Sequence, residues 1–139
     1  MITNFESITY EMTEIEISVA EFLAKHFNKN HRGKLKAITS VKILKLLTRK
    51  SRSWKMTDAR LRKIINYIRH TNLCNCLVAT SKGYYVSAKK IEVETYIQSL
   101  EERAYEIERT KEALVAQYGK RFKTLSKNKK AILKKKKLN

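Results

Sequence analysis

The sequence predicts a mainly α-helical fold with one small β-hairpin, a long C-terminal helix and a basic tail. Three observations carry this. The 139 residues include no proline and only three glycines, so little interrupts a helix. Apolar side chains recur at spacings of three and four along most of the chain. Only residues 74–87 place β-prone side chains on either side of a turn. At 42% apolar residues the chain can bury one modest core, which fits one domain and an appendage rather than two large domains.

Thr13, with Glu16 three residues on, is a capping-box pair. Ile15, Val19, Phe22, Leu23 and Phe27 follow at helical spacing and predict a first helix over residues 13–27. Residues 28–34 (Asn-Lys-Asn-His-Arg-Gly-Lys) read as a polar loop, and Leu35, Ala37 and Ile38 as a very short strand. Thr39 or Ser40 caps a second helix carrying Val41, Ile43, Leu44, Leu46 and Leu47, which ends by Arg49. Residues 48–55 form a basic loop holding Trp54. Thr57 then caps a third helix, with Asp58 in the first turn, where a carboxylate suits the helix dipole. Leu61, Ile64, Ile65 and Ile68 stand at i, i+3, i+4 and i+7, one buried stripe, and the helix should end near residues 71–72. Residues 74–79 and 84–87, joined by Thr80-Ser81-Lys82-Gly83, predict the hairpin. Residues 88–119 are again helical in pattern, with Gly119 as the expected stop.

Charge divides the chain further. Residues 1–27 hold five Glu and one Lys, and residues 28–90 hold seventeen Lys+Arg against the single acid Asp58. Residues 91–119 hold seven Glu and three basic residues, and residues 120–139 hold ten basic residues and no acid. The total is +18, concentrated in two of the four segments, which points to a polyanionic partner contacted by particular parts of the chain. The divisions expected are residues 1–90, a long helix over 91–119 and a lysine-rich tail over 120–139.

Helix, tiny strand, helix, basic turn, helix and hairpin is the element order of a winged helix. Residues 36–87 resemble the small winged helix-turn-helix DNA-binding proteins of phages and other mobile elements. The resemblance rests on Ile38-Thr39 to Leu47, on the run from Met56-Thr57-Asp58 to Ile68-Arg69, and on Ser81-Lys82-Gly83-Tyr84-Tyr85-Val86. The helix from Glu92 to Tyr118 looks like the trailing helix those proteins often carry. One departure is the loop of residues 48–56, longer and more basic than a tight helix-turn-helix turn. The resemblance implies double-stranded DNA as partner and a role in transcription regulation, replication or packaging. It also implies a place in the host cytoplasm or a virion.

The residues support DNA binding by themselves. Opposite the apolar stripe, the third helix carries Ala59, Lys63, Asn66 and His70, flanked by Arg60, Arg62 and Tyr67. Lys, Arg and Asn read guanine and adenine edges in the major groove, which admits one helix. Lys42, Lys45, Arg49, Lys50, Arg52 and Lys55 would line the phosphates, and Lys82 at the hairpin tip would reach the backbone or the minor groove. In the long helix Val93, Ile97, Leu100, Ala104, Ile107, Leu114 and Tyr118 alternate spacings of four and three, with Lys111 in the gap. That is a heptad seam, suited to a homodimer or to packing along the first helix. In the tail, the unbroken block Lys134, Lys135, Lys136 and Lys137 suits salt-sensitive phosphate binding. Two further readings stay open: a packaging protein that binds DNA or RNA without sequence preference, and an interaction module acting through residues 91–118.

Enzymatic chemistry is not expected. There is no glycine-rich phosphate loop, and the carboxylates are scattered over the first and last helices. Cys74, Cys76 and His70 give three potential zinc ligands where a closed site needs four, and His26 or His31 is remote in sequence. No metal or cofactor is expected. Neither is a membrane span, since no apolar run approaches the roughly 20 residues required. The first residues carry no basic or lipidation signal, which argues against secretion.

Overall fold

The computed structural model describes residues 11–122. The phosphate-binding block expected at Lys134, Lys135, Lys136 and Lys137 therefore lies outside the described residues. The chain is mainly helical: α1 (Glu14–Asn30), α2 (Ser40–Lys50), α3 (Asp58–His70), the strands β1 (Leu77–Thr80) and β2 (Gly83–Val86), and α4 (Lys90–Arg121). Short 3-10 turns occupy Lys34–Lys36 and Arg52–Trp54. Contacts divide the chain into two compact units, one running to Ile97 and the other starting at Gln98.

Within the first unit, the side chains that cap the helices are those the sequence marks. Thr13 accepts from the Glu16 N–H while Glu16 accepts from the Thr13 N–H, a reciprocal capping box. Thr39 and Thr57 cap α2 and α3 through the N–H groups of Lys42 and Arg60. α1 runs three residues beyond the expected end at Phe27, to Asn30.

The core is the meeting of three helices with the hairpin. Val19, Leu23 and Phe27 of α1, Ile43 and Leu47 of α2, the whole Leu61, Ile64, Ile65, Ile68 stripe of α3, and Leu77 and Val86 are buried together. Each such aliphatic side chain contributes on the order of 1.5–3 kcal/mol by leaving water. Ile15 and Val41, counted among the apolar positions of their helices, are instead exposed.

α3 ends where Asn72 adopts a left-handed conformation (φ 60°), which lets the Leu73 N–H reach the Ile68 carbonyl at 3.1 Å. Cys76 is also left-handed (φ 58°), so the extended run begins at Leu77 and not at residue 74 as its composition suggests. β1 and β2 are antiparallel, with Leu77 opposite Val86 and Thr80 opposite Gly83. Ile38 pairs with Tyr84 through reciprocal backbone hydrogen bonds of 3.0 and 2.8 Å. The expected short strand at 35–38 is thus reduced to Ile38, because Lys34–Lys36 turn into a 3-10 coil. Gly83 (φ 117°) lies against this pairing, and a Cβ there would collide with the Ile38 carbonyl.

α4 is entered through Ser87, whose hydroxyl donates to Glu92 Oε1 at 2.7 Å and accepts from the Lys89 N–H. The helix does not stop at Gly119 but continues to Arg121. The roughly 1 kcal/mol cost of a helical glycine is opposed by Lys120 and Arg121 at the negative end of the dipole. The Phe122 ring also packs one turn on against Tyr118, tilted and 4.9 Å away. No residue of α4 is buried.

Candidate nucleic-acid interface

The cations expected to meet nucleic acid fall into groups placed by different elements. On α2, Lys42, Lys45 and Arg49 are exposed at i, i+3 and i+7, one stripe opposite Ile43 and Leu47. Lys50, also exposed, holds its ammonium 5.1 Å above the Phe22 ring.

The chain between α2 and α3 is longer than a tight turn, yet it is anchored. Ser51 caps the 3-10 turn through the Ser53 N–H, and Trp54 packs its ring 5.4 Å from Phe22 of α1. With the indole held inward, Arg52 and Lys55 are left exposed on either side of it.

On α3 the exposed residues are Asp58, Arg62, Asn66 and His70, a stripe advancing by four residues per turn, with Ala59 beside its start. Tyr67 is half-buried against the core. Arg60 and Lys63 turn aside, toward α1. Glu16, only 1% exposed, receives Arg60 Nε at 3.0 Å and Lys63 Nζ at 2.8 Å on its two carboxylate oxygens. Lys63 Nζ also donates to the Glu11 carbonyl at 2.9 Å. Burial by itself would raise the Glu16 carboxyl. The hydrogen bonds from Lys63, the Thr13 backbone and Arg60 overcome that and hold it at about 2, against an ordinary 4.5. Lys63, placed among the outward residues by spacing alone, is therefore engaged in a buried ion pair, and Arg62 replaces it on the exposed stripe. Past Asp58, that stripe is Ala59, Arg62, Asn66 and His70.

The hairpin supplies the third group. Lys82 is exposed at the tip, where its N–H donates to the Thr80 hydroxyl at 3.2 Å. Behind the tip, Arg69 of α3 donates from Nε to the Leu77 carbonyl and lies over the rings of Tyr84 and Tyr96, at 6.0 and 5.1 Å. Arg69 thus braces the hairpin against α3.

Sequence reasoning passed over further exposed cations, among them Lys29 at the end of α1, and Arg32, Lys34 and Lys36 in the segment that pairs with β2. Only their part in the charge count of residues 28–90 marked them. Close by, His31 and His26 are stacked, with His31 Nε2 and His26 Nδ1 3.0 Å apart and His31 Nδ1 2.7 Å from the Lys36 carbonyl. Burial, then the neighbouring His31 and Lys50, push the His26 pKa below 6.5.

Cys74 is buried, with its thiol directed at the Ala24 carbonyl 3.4 Å away and its pKa raised by burial, whereas Cys76 is exposed. Among the described residues, no three His, Cys, Asp or Glu side chains come together as a metal site would require. No helix among them is long and apolar enough to cross a membrane.

In the second unit the expected seam residues Leu100, Ala104, Ile107 and Leu114 are exposed, while Tyr118 is half-covered. At the start of α4, Val93 is half-covered and Ile97 exposed. Comparison of the chain with family models, with curated proteins and with solved structures returns no match.

Proposed function

We propose that the chain is a non-enzymatic DNA-binding protein of winged helix-turn-helix type that reads the major groove with α3. The observation that carries this reading is the exposed stripe Ala59, Arg62, Asn66 and His70, which starts beside Asp58. Its side chains are suited to base edges, on a helix bordered by the cations of α2 and of the 52–55 turn. A small Ala59 near the helix N-terminus permits close approach to the bases. Lys42, Lys45, Arg49, Arg52 and Lys55 fix register on the phosphates, and Lys82 braces the flanking backbone. The pairing of Ile38 with Tyr84 also supports the reading, since a winged helix attaches the strand before its second helix to the hairpin. Regulation of transcription, or accessory work in replication or packaging in a phage or mobile element, fits such a protein.

Packaging without sequence preference is favoured by one specific observation, the withdrawal of Lys63 into its pair with Glu16. It leaves fewer groups suited to bases than to phosphates. Selection of random duplex DNA by the purified protein at about 150 mM salt decides between the two. Recovery of a motif supports the reader, whereas binding without enrichment overturns it in favour of packaging.

A further inference from the structure

We infer that α4 joins two copies of this chain as a parallel, in-register coiled coil. In the heptad that places Val93, Leu100, Ile107 and Leu114 at d, the a positions are Ile97, Ala104, Lys111 and Tyr118. The middle of the seam is uncovered, with Leu100 43%, Ile107 70% and Leu114 59% exposed, while Val93 and Tyr118 at its ends are half-covered. Such a row is satisfied by a helix carrying the same row.

The occupant and its direction follow from the flanking charges. Glu94, Glu101 and Glu108 hold successive e positions, and Arg103 holds a g position between uncharged Tyr96 and Thr110. In a parallel, in-register pair each g residue meets the e residue five positions on in the other copy. Arg103 then faces Glu108 of the second copy, twice by symmetry, and no g–e pair sets like charges together; the two Lys111 side chains, which meet at a, are the exception and extend outward. In an antiparallel pair with the apolar layers aligned, e meets e, so Glu101 opposes Glu108 twice while Arg103 faces Thr110. Sliding an antiparallel pair by one heptad either way still sets glutamate on glutamate. Lys111 limits the assembly to two strands, because a lysine at an a position must reach the edge of the coil. Within its own chain its ammonium already leans out to Glu108 Oε1 at 2.7 Å.

The inference holds whether or not the chain binds DNA, so it is tested on the full chain without nucleic acid, by sedimentation equilibrium. The expected mass is twice 16.3 kDa. Leu100→Asp, at a site exposed within its own chain, should give a monomer whose Trp54 emission matches that of the parent. Arg103→Glu and Glu108→Arg should each raise the dimer dissociation constant by about tenfold, and the two together should restore it. A monomer at every concentration, or a mass above the dimer, overturns the proposal. So does a Glu108→Arg chain that associates as tightly as the parent or more tightly, as an antiparallel pair would, or a double variant that fails to recover.

Discussion

The Lys63 ammonium lies 2.8 Å from the Glu16 carboxylate, joining the first turn of α1 to the middle of α3 across 47 positions of sequence. The same carboxylate caps its own helix through Thr13 and receives Arg60. One buried acid therefore sets the start of α1 and fixes how α3 turns its outer face. Its loss deprives both Arg60 and Lys63 of their carboxylate.

Glu16→Gln should lower the unfolding free energy by about 2 kcal/mol near neutral pH, within the range for opening a pair whose cations keep some contact with water. The pH dependence has a definite sign. The folded-state pKa is depressed to about 2 from 4.5, so the contribution is complete above pH 4.5 and fades as pH falls toward 2. The linked free energy over that range is on the order of 3 kcal/mol at most. Denaturant titrations at pH 7, 4 and 3 should show parent and variant converging at the acid end; parallel curves would contradict the assignment.

Gly83→Ala should destabilise the first unit by about 2 kcal/mol or more, since it combines a left-handed backbone with displacement of the Ile38 carbonyl. Gly33 provides the control. It too has a positive φ, 94°, but a Cβ there meets nothing within 4 Å, so Gly33→Ala should cost only about 1 kcal/mol. Thermal unfolding of the two variants side by side gives the comparison, and equal losses would mean that the Ile38 contact is unimportant.

DNA affinity should separate along the lines of exposure. Arg62→Ala and Asn66→Ala should each cost about 1–3 kcal/mol on a selected site and relax preference there. Lys42→Ala, Lys45→Ala and Arg49→Ala should weaken all sequences alike, each flattening the log affinity versus log salt slope by about 0.9. Lys63→Ala should act mainly through stability. Titrations of selected and scrambled duplexes over a salt series distinguish these outcomes, and a uniform loss for Arg62 and Asn66 would favour packaging.

His26 should make stability fall on mild acidification. Its folded-state pKa lies below 6.5, so the neutral ring is the form the fold accepts. Its contribution is complete above pH 6.5 and is lost as pH drops below that value. Replacing His26 by Phe should flatten the stability profile on the acid side of neutrality, as followed by urea denaturation between pH 5 and 8; an unchanged slope would exclude His26 as its source.

What the sequence discloses and what it hides divide by the range of the interaction responsible. Thr13, Thr39 and Thr57 announce helix starts because a cap joins residues three apart, and the Leu61, Ile64, Ile65, Ile68 stripe shows in its period. Those local signals also suffice to mark the surface cations of α2 and the hairpin tip. Lys63 is different. Its spacing suits the outward face, and only the arrival of Glu16 from another helix draws it away. The late start of β1 depends on left-handed turns at Asn72, a residue type that favours this conformation, and at Cys76, a type that does not advertise it. Gly119 misleads for the opposite reason, since a helical glycine costs little enough that Tyr118, Phe122 and the terminal cations carry the helix past it.

Trp54 is the single tryptophan of the chain and rests on Phe22, with the Lys50 ammonium also over the Phe22 ring and Arg52 and Lys55 close in sequence. The molecule therefore contains a built-in optical probe, one fluorophore at one address. A polyanion settling on the adjacent cations would perturb its emission directly, and unfolding of the helical core would shift the same signal to longer wavelength. Occupancy and integrity can thus be followed in unlabelled protein, from a residue that needs no alteration.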